Sequence, residues 1–192
     1  MALFASATDD KYTLDQVLSQ QSTIGTLITP LLRGPVGLWD RQAAVQVRLI
    51  NGTLQGFDRA AVLAGSAAIA IGDGAAGNWE VLQYTAAAVP TDPEATERDV
   101  MLSGFLRGQA GTSAIMPDIW PEGSRVVLLD NTLRQMNLAS SSRGVEQYMR
   151  YGPANLPYDD PTYREVTETF QGAGLRPFPV VHLRAERSGT TV

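Results

Sequence analysis

Met101-Leu102-Ser103-Gly104-Phe105-Leu106-Arg107-Gly108-Gln109-Ala110-Gly111-Thr112 is the stretch on which the reading of this chain turns. Before it, Arg98-Asp99-Val100-Met101-Leu102 reads as a strand that becomes apolar as it enters the protein. After it, Trp120-Pro121-Glu122-Gly123-Ser124 turns the chain into a second strand pattern, Arg125-Val126-Val127-Leu128-Leu129. Gly104, Gly108 and Gly111 mark backbone that turns sharply or passes close to other backbone, where a Cβ would clash. Arg107 stands between Leu106 and Gly108, so its planar guanidinium can reach carbonyls across a turn. Thr112 can cap that turn through its hydroxyl. The expectation is a strand–loop–strand unit, structural rather than catalytic.

Working outward, most segments carry strand patterns. Thr23 to Thr29 is rich in β-branched residues and stops at Pro30, and Val45, Val47 and Leu49 alternate with Gln46 and Arg48. Asn51-Gly52 then reads as a hairpin turn, because both residues tolerate positive φ. Asp58 can cap a short helical turn through Leu63 that ends at Gly65. Ala67 to Ile71, Trp79 to Val89, Val145 to Tyr151, Tyr163 to Phe170 and Val180 to Glu186 read as further strands. Thr13-Leu14-Asp15-Gln16 has the spacing of a small capping box and suggests one or two helical turns. The stretch from Pro90 to Asp99, acidic and punctuated by proline, reads as an exposed loop. Strands joined by short turns, with no long amphipathic helix, give an all-β class: mainly antiparallel, barrel- or sandwich-like, with a few short helical turns. We expect a β-rich module over residues 1–152 and an irregular connection with one strand over 153–176. Residues 177–192 then read as the truncated start of a following β-domain.

The 192 residues are 44% hydrophobic and 18% charged, which suits an ordered, turn-rich domain rather than a disordered one. The absence of cysteine excludes disulfides, thiolate zinc sites and a cysteine nucleophile. No run is long enough for a membrane span, and the N-terminus lacks a signal pattern, so the chain is expected to be soluble and made in the cytoplasm.

The motifs that resemble chemistry read better as structure. Gly72-Asp73-Gly74-Ala75-Ala76-Gly77 fits G-x-G-x-x-G, with Asp92 about twenty residues on where a ribose-binding acid stands. Asn78 to Thr85 carries a strand pattern, not that of the helix whose N-terminus must hold the pyrophosphate, so a hairpin loop is the better reading. Asp92, Glu94, Glu97 and Asp99 offer oxygen ligands without the order of a calcium loop. Asp159-Asp160 point apart in an extended segment. His182 is the only histidine and has no nucleophile elbow to serve. We therefore expect no enzyme activity, no catalytic residues, no metal and no cofactor. Trp39, Trp79 and Trp120 suit a sugar-stacking platform if exposed, and core or interface anchors if not. Trp39 sits in a Gly/Pro turn and is the one expected to be exposed, as an interface or glycan contact.

The central stretch, with Trp120-Pro121 and Arg125 to Asp130, resembles the very large baseplate hub (tail-tip) proteins of gene transfer agents and related phage-like tails, in a C-terminal-half segment. The likeness continues in Gly34-Pro35-Val36-Gly37-Leu38-Trp39-Asp40-Arg41, in Asn78-Trp79-Glu80-Val81-Leu82-Gln83-Tyr84, and in Arg176-Pro177-Phe178-Pro179-Val180-Val181-His182-Leu183-Arg184-Ala185. The resemblance implies a structural component of a tail baseplate, acting in assembly and host-envelope attachment for DNA delivery. It also implies partners: copies of the chain in a ring, a trimer, and neighbouring tail proteins. The chain would then end up in the tail of an extracellular particle. The competing expectation is a carbohydrate-binding module that recognises host surface polysaccharide.

A formal net charge of −5 and a single lysine, Lys11, argue against a nucleic-acid surface, which needs clustered Lys and Arg. The chain is therefore expected not to retain short duplex DNA even at low salt, and a salt-sensitive gel shift would contradict this.

Overall fold

The computed structural model describes residues 1–172. Among these the elements run β1 Ala2–Ser6, β2 Thr13–Val17, β3 Ile24–Leu27, β4 Leu31–Leu32, β5 Trp39–Asn51, α1 Arg59–Leu63, β6 Ala68–Gly72, β7 Trp79–Ala88, β8 Asp99–Gln109, β9 Ile119–Trp120, β10 Arg125–Leu128, β11 Glu146–Gly152 and β12 Arg164–Thr169. The class is all-β, as the alternation of apolar residues indicates.

Alternation decides which way each strand faces. Successive side chains point to opposite faces, so Val45, Val47 and Leu49 of β5 enter the same core as Ile69 and Ile71 of β6. Leu82 and Tyr84 of β7 join them, with Leu102 and Phe105 of β8, Leu27 of β3 and Val126 of β10. The strands that carry them pair antiparallel in the order β10-β3-β5-β8-β7-β6, and β6 pairs back onto β10, closing a barrel. Closure leaves these six strands no free edge. The helix α1 begins at Asp58, whose carboxylate accepts the Ala61 N–H at 2.8 Å. Gln83, which faces outward from β7, ties the helix down by donating to the Val62 carbonyl at 2.6 Å.

A second sheet, β12-β11-β1-β2, joins the N-terminus to residues 146–169. Phe4 packs against Tyr158 and Tyr163 with ring centroids 5.6 and 6.0 Å away, and the Arg150 guanidinium lies 4.7 Å from the Tyr12 ring. The Tyr163 hydroxyl donates to the Pro153 carbonyl at 2.7 Å, which holds the irregular segment after β11 against the sheet. Because β12 pairs with β11 across residue 152, the position expected to close the first module falls inside this sheet. The strand expected over Val180 to Glu186, and His182 within it, lie outside the described residues.

Three local expectations need correction. The stretch from Ser103 to Gly111 is not a loop. Its first seven residues, to Gln109, lie in one long strand, β8, because β5 and β7 hydrogen-bond to it from both sides. Thr13 to Gln16 is strand β2 rather than a helical turn, since pairing with β1 offers its backbone partners that an isolated capping box lacks. Asn51-Gly52 ends β5 without forming a hairpin. The neighbours of β5 are β3 and β8, and the Asn51 amide donates to the Ser22 carbonyl at 2.9 Å instead of closing a two-residue turn.

The glycines of β8 have a different task from turning the chain. Leu102 and Phe105, three residues apart, would face opposite ways in a regular strand, yet both are in the core. Gly104, at φ +70°, breaks the alternation between them, opposite Thr85. On the other flank β5 absorbs the change in a bulge between Asp40 and Ala44, where the Asp40 carboxylate accepts the N–H groups of Gln42 and Ala43 at 3.1 and 3.0 Å. At the far end of the β5–β8 pair, Asp99 receives Arg48 through two bonds of 2.8 and 2.9 Å. That pairing holds the Asp99 carboxyl well below the usual carboxylate range.

Gly108 has φ +62°, and a Cβ there would stand 2.9 Å from the Ser113 Cα. Gly108→Val should lower unfolding free energy by roughly 1–3 kcal/mol, through left-handed strain and the clash with backbone. Urea unfolding checks this, and an unchanged midpoint would remove the role.

Candidate functional site

Glu80 shares its face of β7 with Leu82 and Tyr84, so strand geometry points a carboxylate into the barrel interior. Arg107 on the neighbouring β8 points inward too, and both side chains are completely buried. The guanidinium meets the carboxylate fork to fork, Nε to Oε1 and Nη2 to Oε2, both at 2.8 Å. Oε1 also accepts the Gly108 N–H at 3.1 Å, and Oε2 the Trp120 indole N–H at 2.7 Å. The last guanidinium nitrogen, Nη1, donates to the Leu32 carbonyl at 2.8 Å. Two buried charges are costly unless paired and fully hydrogen-bonded, and here four donors converge on one carboxylate.

This network fixes the arm that crosses that end of the barrel. Leu32 of β4 pairs with Ile119 of β9, and Val36 bridges to Arg107 through backbone. Arg33 donates to the Met116 carbonyl at 2.8 Å. The arm in turn presents apolar side chains to solvent: Leu32, Val36, Leu38 and Ile119 are 64, 51, 67 and 45% exposed.

The residues singled out in the sequence fall around this centre. Arg107 does reach a carbonyl, that of Leu32, but its main partner is Glu80. Gly104 and Gly108 shape β8. Gly111 lies past the strand's end, and nothing stands within 4 Å of where its Cβ would be. Thr112 accepts the Val81 N–H at 2.9 Å and donates to the Gln109 carbonyl at 2.7 Å, so it caps the strand's end as expected. Trp39 is only half-buried, with its ring 5.4 Å from the Arg59 guanidinium, and its neighbours Val36 and Leu38 are the exposed residues. Trp120 is buried and Trp79 half-buried, so the three tryptophans do not share an exposed platform. Glu80 was the residue that sequence reasoning missed. Its signal was a carboxylate at the same strand parity as Leu82 and Tyr84.

Gly72 to Gly77 lies at the β6–β7 hairpin, as its strand context suggested. Asp73 accepts the Ala75 N–H there at 2.8 Å, and that bond, with the Asn78 amide, holds its carboxyl below the ordinary value. Asp99 is committed to Arg48, and no group of three or more acidic or metal-ligating side chains gathers among the described residues. No helix of the described residues is long and apolar enough to cross a membrane.

A sequence profile described as "Rcc01698-like, C-terminal" matches residues 22–127, more than half of the chain and nearly the whole barrel from β3 to β10. The chain belongs to this family. No curated protein matches it. In this Rcc01698-like domain the matched span contains Glu80, Arg107, Trp120 and the apolar arm, whereas all four strands of the second sheet lie outside it.

Removing one partner strands a buried charge. Glu80→Leu and Arg107→Met should therefore each cost about 3–5 kcal/mol of stability, and the Glu80→Leu/Arg107→Met double variant should recover much of the loss. Urea unfolding of the two singles and the double gives the coupling directly, and additive losses would dissolve the pair's role.

Proposed function

We propose that this chain is a structural segment of the baseplate or tail-tip hub of a phage-like tail of the gene transfer agent type. In this reading it builds the particle and helps to attach it to the host envelope for DNA delivery, without catalysing a reaction. The observation that carries the reading is the Rcc01698-like match laid over the barrel. The motifs shared with tail-hub proteins support it, since they fall on the parts that give the barrel its shape. Arg107 and Trp120 hold Glu80, Asp40 sets the β5 bulge, and Gly34 to Leu38 form the exposed arm.

A ring of copies, three by family likeness, is the assembly this role requires, and the apolar arm is a suitable contact between neighbouring subunits or with another tail protein. The chain would be exported only as part of the particle.

The test is made in particles. Deleting the gene should leave tails without a functional tip and abolish DNA transfer, and labelled antibody against the chain should decorate the tail's distal end in electron micrographs. Wild-type transfer from the deletion strain, or label on the capsid, would defeat the reading. Leu38→Asp, which leaves the core untouched, should reduce tip assembly while the isolated chain melts normally.

A further inference from the structure

At one end of the barrel β3 and β6 begin while β5 and β10 end, and residues 52–57 cross the opening, anchored by the Phe57 N–H on the Thr85 carbonyl at 2.8 Å. Between this crossing and the rim lies a cleft of about 450 Å³, within the size of small-molecule sites and in the mouth of a barrel, where such sites recur. Thr23, Thr53, Gln55, Ser66, Tyr84 and Asp130 give it polar groups.

Tyr84 is the unusual member. Its ring belongs to the core and the residue is 1% exposed, yet it also lines the cleft. The Tyr84 side chain reaches the cleft, where its phenol proton can be given to a ligand. Burial pushes this phenol up to about 12, so it stays a donor across physiological pH. Asp130 has Oδ1 engaged by the Thr132 N–H at 2.9 Å, and its second oxygen remains an acceptor. No lysine or arginine lines the cleft, which disfavours an anion. Phe57, Ala67 and Leu128 supply an apolar wall. Hydroxyls, an amide and one carboxylate beside an apolar wall that includes Phe57 match a ligand with many hydroxyl groups and one apolar face.

We propose that the barrel mouth binds a neutral sugar, a single pyranose ring, with the Tyr84 hydroxyl donating to it, Asp130 accepting from it and Phe57 packing on its apolar face. The site is separate from the exposed arm, and it stands or falls independently of the tail-hub reading.

Saturation-transfer NMR of the full chain with glucose, galactose and N-acetylglucosamine at millimolar concentration tests it. At least one should receive saturation at its ring protons, whether as the free sugar or as the terminal residue of an oligosaccharide. Tyr84→Phe should weaken that binding about tenfold, the worth of one hydrogen bond to a desolvated group. Thr53→Trp places a large ring at an exposed position of the mouth and should abolish binding with unchanged melting behaviour. Absence of transfer from all three sugars would overturn the proposal. So would binding that persists unaltered in Thr53→Trp, whether or not the Tyr84 variant folds.

Discussion

The Glu80 carboxylate is the constraint on which much of this domain depends. It draws together donors from two separate strands: Arg107 and Gly108 on β8, and Trp120 on β9. Through Arg107 it also reaches the Leu32 carbonyl on β4. An interior that isolates a charge this completely tolerates one arrangement of those partners, because any slip leaves an ion without its hydrogen bonds. Specificity rather than bulk stability is the use best suited to such a pair, and here it specifies how the arm and β9 close over the barrel.

The same end of the barrel shows how glycine and aspartate substitute for loops in shaping a sheet. Gly104 lets β8 change face without leaving the ladder, and Asp40 holds the matching irregularity in β5 with its own carboxylate. Long strands that would otherwise stay regular are thereby bent into a closed wall. A rigid barrel with a fixed apolar arm is what the proposed tail-tip role would ask of this chain. The opposite mouth, with Tyr84 at its floor, is built from hydroxyls and amides instead. The two ends of the barrel therefore differ in chemistry, one apolar and one polar.

The all-β class was written in local alternation, and Val45, Val47 and Leu49 announced their strand without help. So did the short helix after Asp58, since a cap and a stop glycine are neighbours in sequence. The hairpin between β6 and β7 was likewise legible, because the residues after Gly77 carry a strand pattern. Thr112's capping role is also local, and its nearest acceptor is the Gln109 carbonyl three residues back.

What the tertiary structure alone decided depends on partners far away in the chain. Thr13 to Gln16 has a helical spacing and becomes strand because β1 lies beside it. The glycines around Arg107 look like a loop from within their own segment, and become bulged strand only when β5 and β7 flank them. Glu80 shares the inward parity of Leu82 and Tyr84, but the groups that satisfy its charge, Arg107 and Trp120, stand 27 and 40 residues away. The sequence by itself determined which segments are extended and which faces are apolar, because side-chain period is a property of neighbours. Which strands pair, where they bulge and which partners neutralise a buried charge are settled by contacts between distant segments, which no local pattern records.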